Sequence, residues 1–397
     1  VPEDRTLPHT WEEARAVAFE VADPLPAHAV PLRQGLGRIL AADVAALHDM
    51  PHYASAAMDG WAVAGSPPWV LAEPGTRLSA GTASPIVTGG LVPPGAKAVL
   101  RSEAARWSTD DDGLPVLVRG AGARPGEPRN GQHIRPAAQE ARAGEVLVTA
   151  GTTLNPAHLA LAALGGLDEL PVLGKPAVKL VLTGDEVVTS GIPAPGRVRD
   201  AFGPQLGAVV DELGGTVVGR RRAADTLDSV LDALADTGED PADVIISTGA
   251  TGHSSADFLH EAIAVMGGTF HINSIAMRPG HPTLLAEFPD GRFLLGLPGN
   301  PLAAMIALLT VGAPLLARLG SRPMPATGEV ACGSPIKERQ GPTRIMPYRL
   351  VYGLASPTAH SDSAMMRGLA AADGVMLVPP HGAKMGETLT SLALPWT

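Results

Sequence analysis

Two nearly matching turns lie close together in this chain: Pro279-Gly280-His281-Pro282 and Pro298-Gly299-Asn300-Pro301. Arg278 precedes the first, and an apolar run from Phe293 to Leu297 leads into the second. Proline fixes such turns, and glycine lets a ligand approach the backbone closely. Arginine and histidine on a rigid turn suit an anion. An unperturbed imidazole titrates near pH ~6.5, so anion binding beside His281 is expected to weaken as pH rises. The alternative is that His281 serves the turn's backbone and never meets a ligand.

Three further stretches carry candidate chemistry. Thr183-Gly184-Asp185-Glu186 sets two carboxylates after an apolar run. They suit Mg²⁺ shared between protein and a phosphate ligand, and equally suit capping of the next segment. Residues 247–257, "STGATGHSSAD", combine glycines and hydroxyls with Asp257 just before a helical pattern. That stretch is neither a Walker motif nor a GxGxxG, so a phosphate loop and a simple N-cap both remain open. In "SAAMDGWAV" (55–63), Asp59-Gly60 reads on local grounds as an ordinary tight turn. His48 and His52 have Pro51 between them, which breaks helical spacing and argues against a metal site. "TDDDG" (109–113) reads as a solvated turn, and no serine–histidine–aspartate or cysteine–histidine arrangement emerges.

The elements that must position these turns show in the periodicity. Thr10 and Glu13 have capping-box spacing, and Trp11, Ala14, Ala18 and Val21 recur at helical intervals. Prolines break the next segment. From about 45 to 143, short apolar runs and Gly/Pro turns predict a β-rich module. Residues 155–170 predict a compact helix ending near Gly165-Gly166. From 175 to 320 the pattern alternates. "VKLVLTG" (178–184), "DVIISTG" (243–249) and "GRFLLGLPG" (291–299) are apolar strands, and Leu206, Val209, Val210 and Leu213 mark one helix face among several. This predicts an open, largely parallel α/β sheet. Ligands of such sheets sit beyond the carboxyl ends of the strands. Thr183, Gly184, Thr248, Gly249, Pro298, Gly299, Asn300 and Pro301 should therefore share an anion-binding rim with Arg278 and His281. After Arg322 the pattern returns to short strands. Residues 301–319 are apolar enough to raise a membrane span, but Gly312 and Pro314 interrupt them, and a buried helix is expected.

Composition bounds the rest. The 397 residues suggest about two to four domains. An apolar fraction of 45% suffices for buried cores. The formal charge of −10, with no basic run, argues against nucleic acid. The single cysteine, Cys332, excludes an internal disulfide and fits a reducing cytosol. No secretory signal is read at the start, so a cytoplasmic, non-membrane protein is expected.

Taken in order, "SAAMDGWAV", "GTASPIVTGGLVPPGAKAVL", "GQHIRPAAQEARAGEVL", "VLTGDEVV", "AMRPGHPTLLA", "GLPGNP" and "SDSAMMRGLAAADGV" resemble the molybdopterin molybdenumtransferase family (MoeA and the gephyrin E domain). The resemblance implies an elongated homodimer with its cleft between subunits. It implies a MogA-like α/β domain at 175–322, with an N-terminal helix (1–22) packed on it. It also implies a linker and dimerisation domain (23–45 and 144–174), a β-rich domain (46–143) and a barrel-like C-terminal β domain (323–397). The implied reaction hydrolyses adenylated molybdopterin with Mg²⁺ or Zn²⁺, releases AMP and inserts molybdenum from molybdate. Asp59, Glu186 and Asp257 match the family's catalytic, metal-binding acids. Pro298 and Pro301 match its "LPGNP" prolines, and Arg349 and Ser363 match positions linked to the oxyanion. A MogA-like adenylyltransferase and apo-molybdoenzymes are the implied partners.

Departures from the family pattern also matter. Its "DSN" stands here as Asp200-Ala201-Phe202 and its "GED" as Ala138-Gln139-Glu140. Arg278 and His281 stand for two lysines. The "TGATGHSS" loop loses a glycine and a serine, and the family's "ANG" is Ala372-Asp373-Gly374. These changes leave open a catalytically impaired paralogue that binds molybdopterin or molybdate, or acts as a scaffold.

Overall fold

The computed structural model describes residues 8–235, 241–249 and 258–397. The chain forms two compact units. One is Ala27–Val172; the other joins Val1–Pro26 to Leu173–Thr397.

The larger unit is built on a six-stranded sheet. Its order is Thr216–Ala223, Ala177–Thr183, Val244–Thr248, Phe293–Leu297, Leu284–Glu287, Thr269–Ile272. The first four strands are parallel, as expected from the alternation, and Leu284–Glu287 runs antiparallel between its neighbours. Val244–Thr248 and Phe293–Leu297 are buried along their whole length, as interior parallel strands covered on both faces must be. The edge strand Thr216–Ala223 alternates in burial and carries Arg220, Arg221 and Arg222. Charges on an edge discourage pairing with another chain.

Residues 301–319 form the buried helix expected, with 94% of the apolar window inside the protein. A π-turn at Leu308–Gly312 interrupts it just before Pro314, whose missing N–H could not serve a regular α-turn. Thr310 Oγ1 donates to the carbonyl of Ile306 at 2.8 Å. The buried Arg15, on the helix Trp11–Glu20, donates to the carbonyl of Leu309 at 3.3 Å and to that of Pro325. That helix carries the predicted capping box, with Glu13 N–H donating to Thr10 Oγ1 at 3.2 Å.

The C-terminal strands form a second sheet: Met277–Arg278, Thr343–Val351, Gly374–Val378, Thr388–Leu392, Gly328–Ala331. Leu354–Pro357 pairs with the far half of Thr343–Val351. Among the described residues these strands form no closed barrel. An isolated bridge, Cys332 to Ala355, joins the end of Gly328–Ala331 to Leu354–Pro357, with Gly333 N–H donating to Ala355 O at 2.7 Å. The first strand comes from the α/β region. Met277 pairs with Thr343, and Arg278 with Arg344, in parallel register.

The smaller unit holds a four-stranded sheet ordered Val70–Leu71, Thr82–Ile86, Gly60–Ala64, Ala98–Arg101. It also contains the predicted helix, Pro156–Leu164, capped by Asn155 and ending at Gly165.

Candidate functional site

At the carboxyl ends of the parallel strands, several predicted rim residues meet. Thr183 Oγ1 donates a short hydrogen bond to the Thr248 carbonyl. Gly249 N–H donates to Leu297 O at 2.9 Å. Gly249 has φ +76°, and a Cβ there would lie 2.8 Å from Thr183 Oγ1, so only glycine fits. A Cβ on Gly299 would lie 3.6 Å from Gly249 Cα, which places these two turns in contact range.

The Gly184 turn is already occupied by a carboxylate that the sequence patterns did not single out. Asp225 accepts from the N–H of Gly184 at 3.2 Å and from that of Asp185 at 3.1 Å. The signal was present: Asp225 follows the strand Thr216–Ala223, and so sits on the same rim. Glu186 is exposed, and a Cβ on Gly184 would come within 2.9 Å of its Oε2, so this carboxylate folds back over the turn. Asp257 and the altered residues 250–254 lie outside the described residues.

The two opening turns line one cavity of about 410 Å³. Arg278, His281, Pro298 and Asn300 come from the α/β region, while Arg339, Arg344, Asp362 and Ser363 come from the C-terminal part. Asn300 Nδ2 donates to Ser363 Oγ at 3.2 Å. The carbonyl of Ser363 accepts from the N–H groups of Leu302 (3.0 Å) and Ala303 (3.2 Å). Two amides at the start of the long helix are thus taken, which leaves the side chains as the donors this cavity can offer.

Arg344 is the most telling of them. One terminal nitrogen donates to the Lys337 carbonyl at 2.7 Å, but its buried Nε has no hydrogen-bond partner. Burial, and then the positive charge of Arg339, pull its guanidinium below the usual arginine range. Among the described residues, no ion pair engages Arg278, Arg339 or Arg344. Arg349, proposed from the sequence, is exposed, pairs with Ser356 in the neighbouring strand, and is not among the residues lining this cavity.

In the smaller unit, Asp59 is exposed beside a separate cavity of about 590 Å³. Its Oδ1 accepts from Thr88 N–H at 2.6 Å, and bonding to Thr88 holds its carboxyl below the usual range. Gly60 is not at a simple tight turn. It opens the strand Gly60–Ala64, and a Cβ on it would lie 2.0 Å from Leu100 O. The close approach of two strands requires glycine there and fixes the position of Asp59.

One departure has a local explanation, and another carries a local cost. Asp200 Oδ1 accepts from Phe202 N–H (3.0 Å) and Gly203 N–H (2.9 Å), and Asp200 pairs with Arg222. It caps the helix Phe202–Glu212, while Phe202 packs against the main core. Ala138 has φ +57°, a left-handed conformation in which a Cβ costs about 1 kcal/mol.

Comparison with known proteins converges with this geometry. Residues 9–166 match the family model for the MoeA N-terminal region (domain I and II), and residues 179–318 match that of a "Probable molybdopterin binding domain". The molybdopterin molybdenumtransferase of Nostoc sp. is 31% identical over 304 residues, covering 72% of this chain and 67% of its own. Molybdopterin molybdenumtransferase 2 of Mycobacterium tuberculosis is 29% identical over 399 residues, covering 93% and 95%. The crystal structure of a molybdopterin biosynthesis MoeA protein from Pyrococcus horikoshii superposes with TM-score 0.71 at 25% identity, covering 98% of this chain and 99% of its own. The chain belongs to the molybdopterin molybdenumtransferase family, a transferase family of molybdenum cofactor biosynthesis.

Proposed function

We propose that this protein transfers molybdenum from molybdate to adenylated molybdopterin, with release of AMP, and that the 410 Å³ cavity is its molybdate site. The observation that carries the reading is the meeting of Arg278 and Arg344. They stand opposite one another in a parallel ladder, both line the cavity, and the Arg344 Nε is buried without a partner. Like charges in register cost stability and call for an anion between them. Among the described residues no group of three or more metal-competent side chains gathers. Mg²⁺ needs no such cage, because one or two carboxylates with phosphate oxygens and water suffice. Glu186, Asp257 and Asp59 are each proposed as donors of such hard oxygens. A bound ion would neutralise phosphate charge and polarise the bond being cleaved.

A homodimer in the cytoplasm is proposed as the working form, receiving its substrate from an adenylyltransferase and delivering cofactor to apo-molybdoenzymes. The test incubates purified protein with adenylated molybdopterin, Mg²⁺ and molybdate, then measures AMP and reconstitution of a cofactor-free molybdoenzyme. Both should appear. AMP without reconstitution, or neither, contradicts the proposal.

A further inference from the structure

His281 differs from the three arginines of the cavity in that an imidazole can accept as well as donate a hydrogen bond. Its Nδ1 lies 2.8 Å from the carbonyl oxygen of Ile275. A carbonyl can only accept, so the ring proton resides on Nδ1. The Ile275 N–H in turn donates to the His281 carbonyl at 2.9 Å, which ties the two segments together at both ends and holds the ring in place. In the neutral ring, therefore, Nε2 is a bare acceptor.

That tautomer conflicts with the proposed occupant. Molybdate is a tetrahedral dianion whose oxygens are all acceptors. Beside it, a bare Nε2 offers repulsion of lone pairs, whereas a protonated ring offers a charged donor. The charged groups sharing the cavity with the ring are Arg278 on its own turn, Arg339 and Arg344 from the C-terminal part, and the carboxylate of Asp362. The balance of charge among these groups is positive. The three guanidiniums and Asp362 leave a net charge of +2, which an entering dianion cancels, so the repulsion that resists a further proton on the ring is removed.

We infer that oxyanion binding in this cavity takes up one proton at His281 Nε2, so that molybdate affinity is set by pH through this residue. The inference rests on the cavity being the oxyanion site. Arg278, Arg339 and Arg344 keep their charge across the range, so binding weakens with rising pH but does not vanish. By linkage, one proton taken up makes the association constant fall by up to about tenfold per pH unit on the alkaline side.

The experiment is calorimetric titration of the full chain with sodium molybdate from pH 6 to 8.5. Each pH is run in two buffers of different ionisation enthalpy, so that proton uptake is read directly. Wild-type protein should bind most tightly at pH 6, lose affinity as pH rises, and take up close to one proton per molybdate at pH 8.5. The His281→Lys variant should bind with a flat profile and no uptake, and His281→Gln should bind more weakly, also with a flat profile. Molybdate binding by wild type without proton uptake overturns the inference and leaves the oxyanion site standing. So does an identical pH slope in His281→Lys. Failure of wild type to bind molybdate at any pH overturns the site and the inference together.

Discussion

Arg278 and Arg344 are register partners, joined by a parallel ladder in which Met277 pairs with Thr343 and Arg278 with Arg344. The two residues lie far apart in the chain, and the pairing sews the first proline–glycine turn to the C-terminal sheet. It also brings two like charges to one cavity wall. Among the described residues neither arginine forms an ion pair, which is what the proposed anion site requires.

Molybdate should accordingly stabilise the folded protein. A ligand at about a hundred times its dissociation constant adds about 2.7 kcal/mol, enough to raise Tm by a few degrees in a scanning-fluorimetry titration. In Arg344→Ala the shift should shrink sharply while the ligand-free Tm changes little. An undiminished shift in the variant would count against the cavity.

Arg344 and Arg349 separate the structural assignment from the one made on sequence. Loss of the cavity-lining guanidinium in Arg344→Ala should weaken molybdate binding at least tenfold, since a charge-assisted hydrogen bond contributes about 1.5–3 kcal/mol. Arg349→Ala should change it less than about threefold, as expected for an exposed charge whose pairing is worth at most ~1 kcal/mol. The reverse order, measured by calorimetry, would return the oxyanion role to Arg349.

Ser363 offers a finer probe. Its hydroxyl accepts from Asn300, so its own proton is free to donate to an oxyanion, while its carbonyl holds the Leu302 and Ala303 amides. Ser363→Ala removes only the hydroxyl and should lower molybdate affinity about tenfold with Tm preserved. Equal affinity with a lowered Tm would make the serine structural.

In the smaller unit, the buried Glu127 takes two hydrogen bonds from Arg101, at 2.8 and 3.0 Å, and a third from Arg124 N–H. The Arg101 guanidinium is the main cause of its carboxyl falling to about 2. Because the folded state binds this proton more weakly than the unfolded state, the pair stabilises fully above the ordinary carboxylate range. That stabilisation is lost as pH falls from about 4.5 towards about 2. Denaturant titrations should show Glu127→Gln destabilised at pH 7, with the gap to wild type closing in acid. A gap that persists at pH 2 would assign the loss to packing.

Ala138 sits at φ +57°. Replacing it with glycine relieves about 1 kcal/mol of left-handed strain and returns part of that as unfolded-chain entropy. Ala138→Gly should therefore raise Tm slightly or leave it unchanged, and a clear fall in a thermal scan would show that the methyl contributes packing.

The α/β sheet and the buried helix at 301–319 were legible because periodicity and strand-end turns are local signals. The meeting of the "RPGHP" and "LPGNP" turns followed from strand topology alone. Arg339, Arg344 and Asp225 were not legible, since long-range register decides them. The ladder from Met277–Arg278 to Thr343–Arg344 leaves no trace in local spacing, and Arg344 and Arg349 both look like strand arginines until the pairing is known. Likewise the pair Asp59-Gly60 reads as a turn until Leu100 is seen pressing on Gly60.

The most direct measurement of the whole account is the molybdate dependence of cofactor formation. Wild-type protein, adenylated molybdopterin and Mg²⁺ are held constant, molybdate is varied, and active reconstituted molybdoenzyme is assayed beside AMP. Wild type should saturate with molybdate and release AMP alongside cofactor, while Arg344→Ala should need at least about tenfold more molybdate to reach half-saturation. Cofactor formation that ignores molybdate concentration, or an identical half-saturation point in the variant, would contradict it.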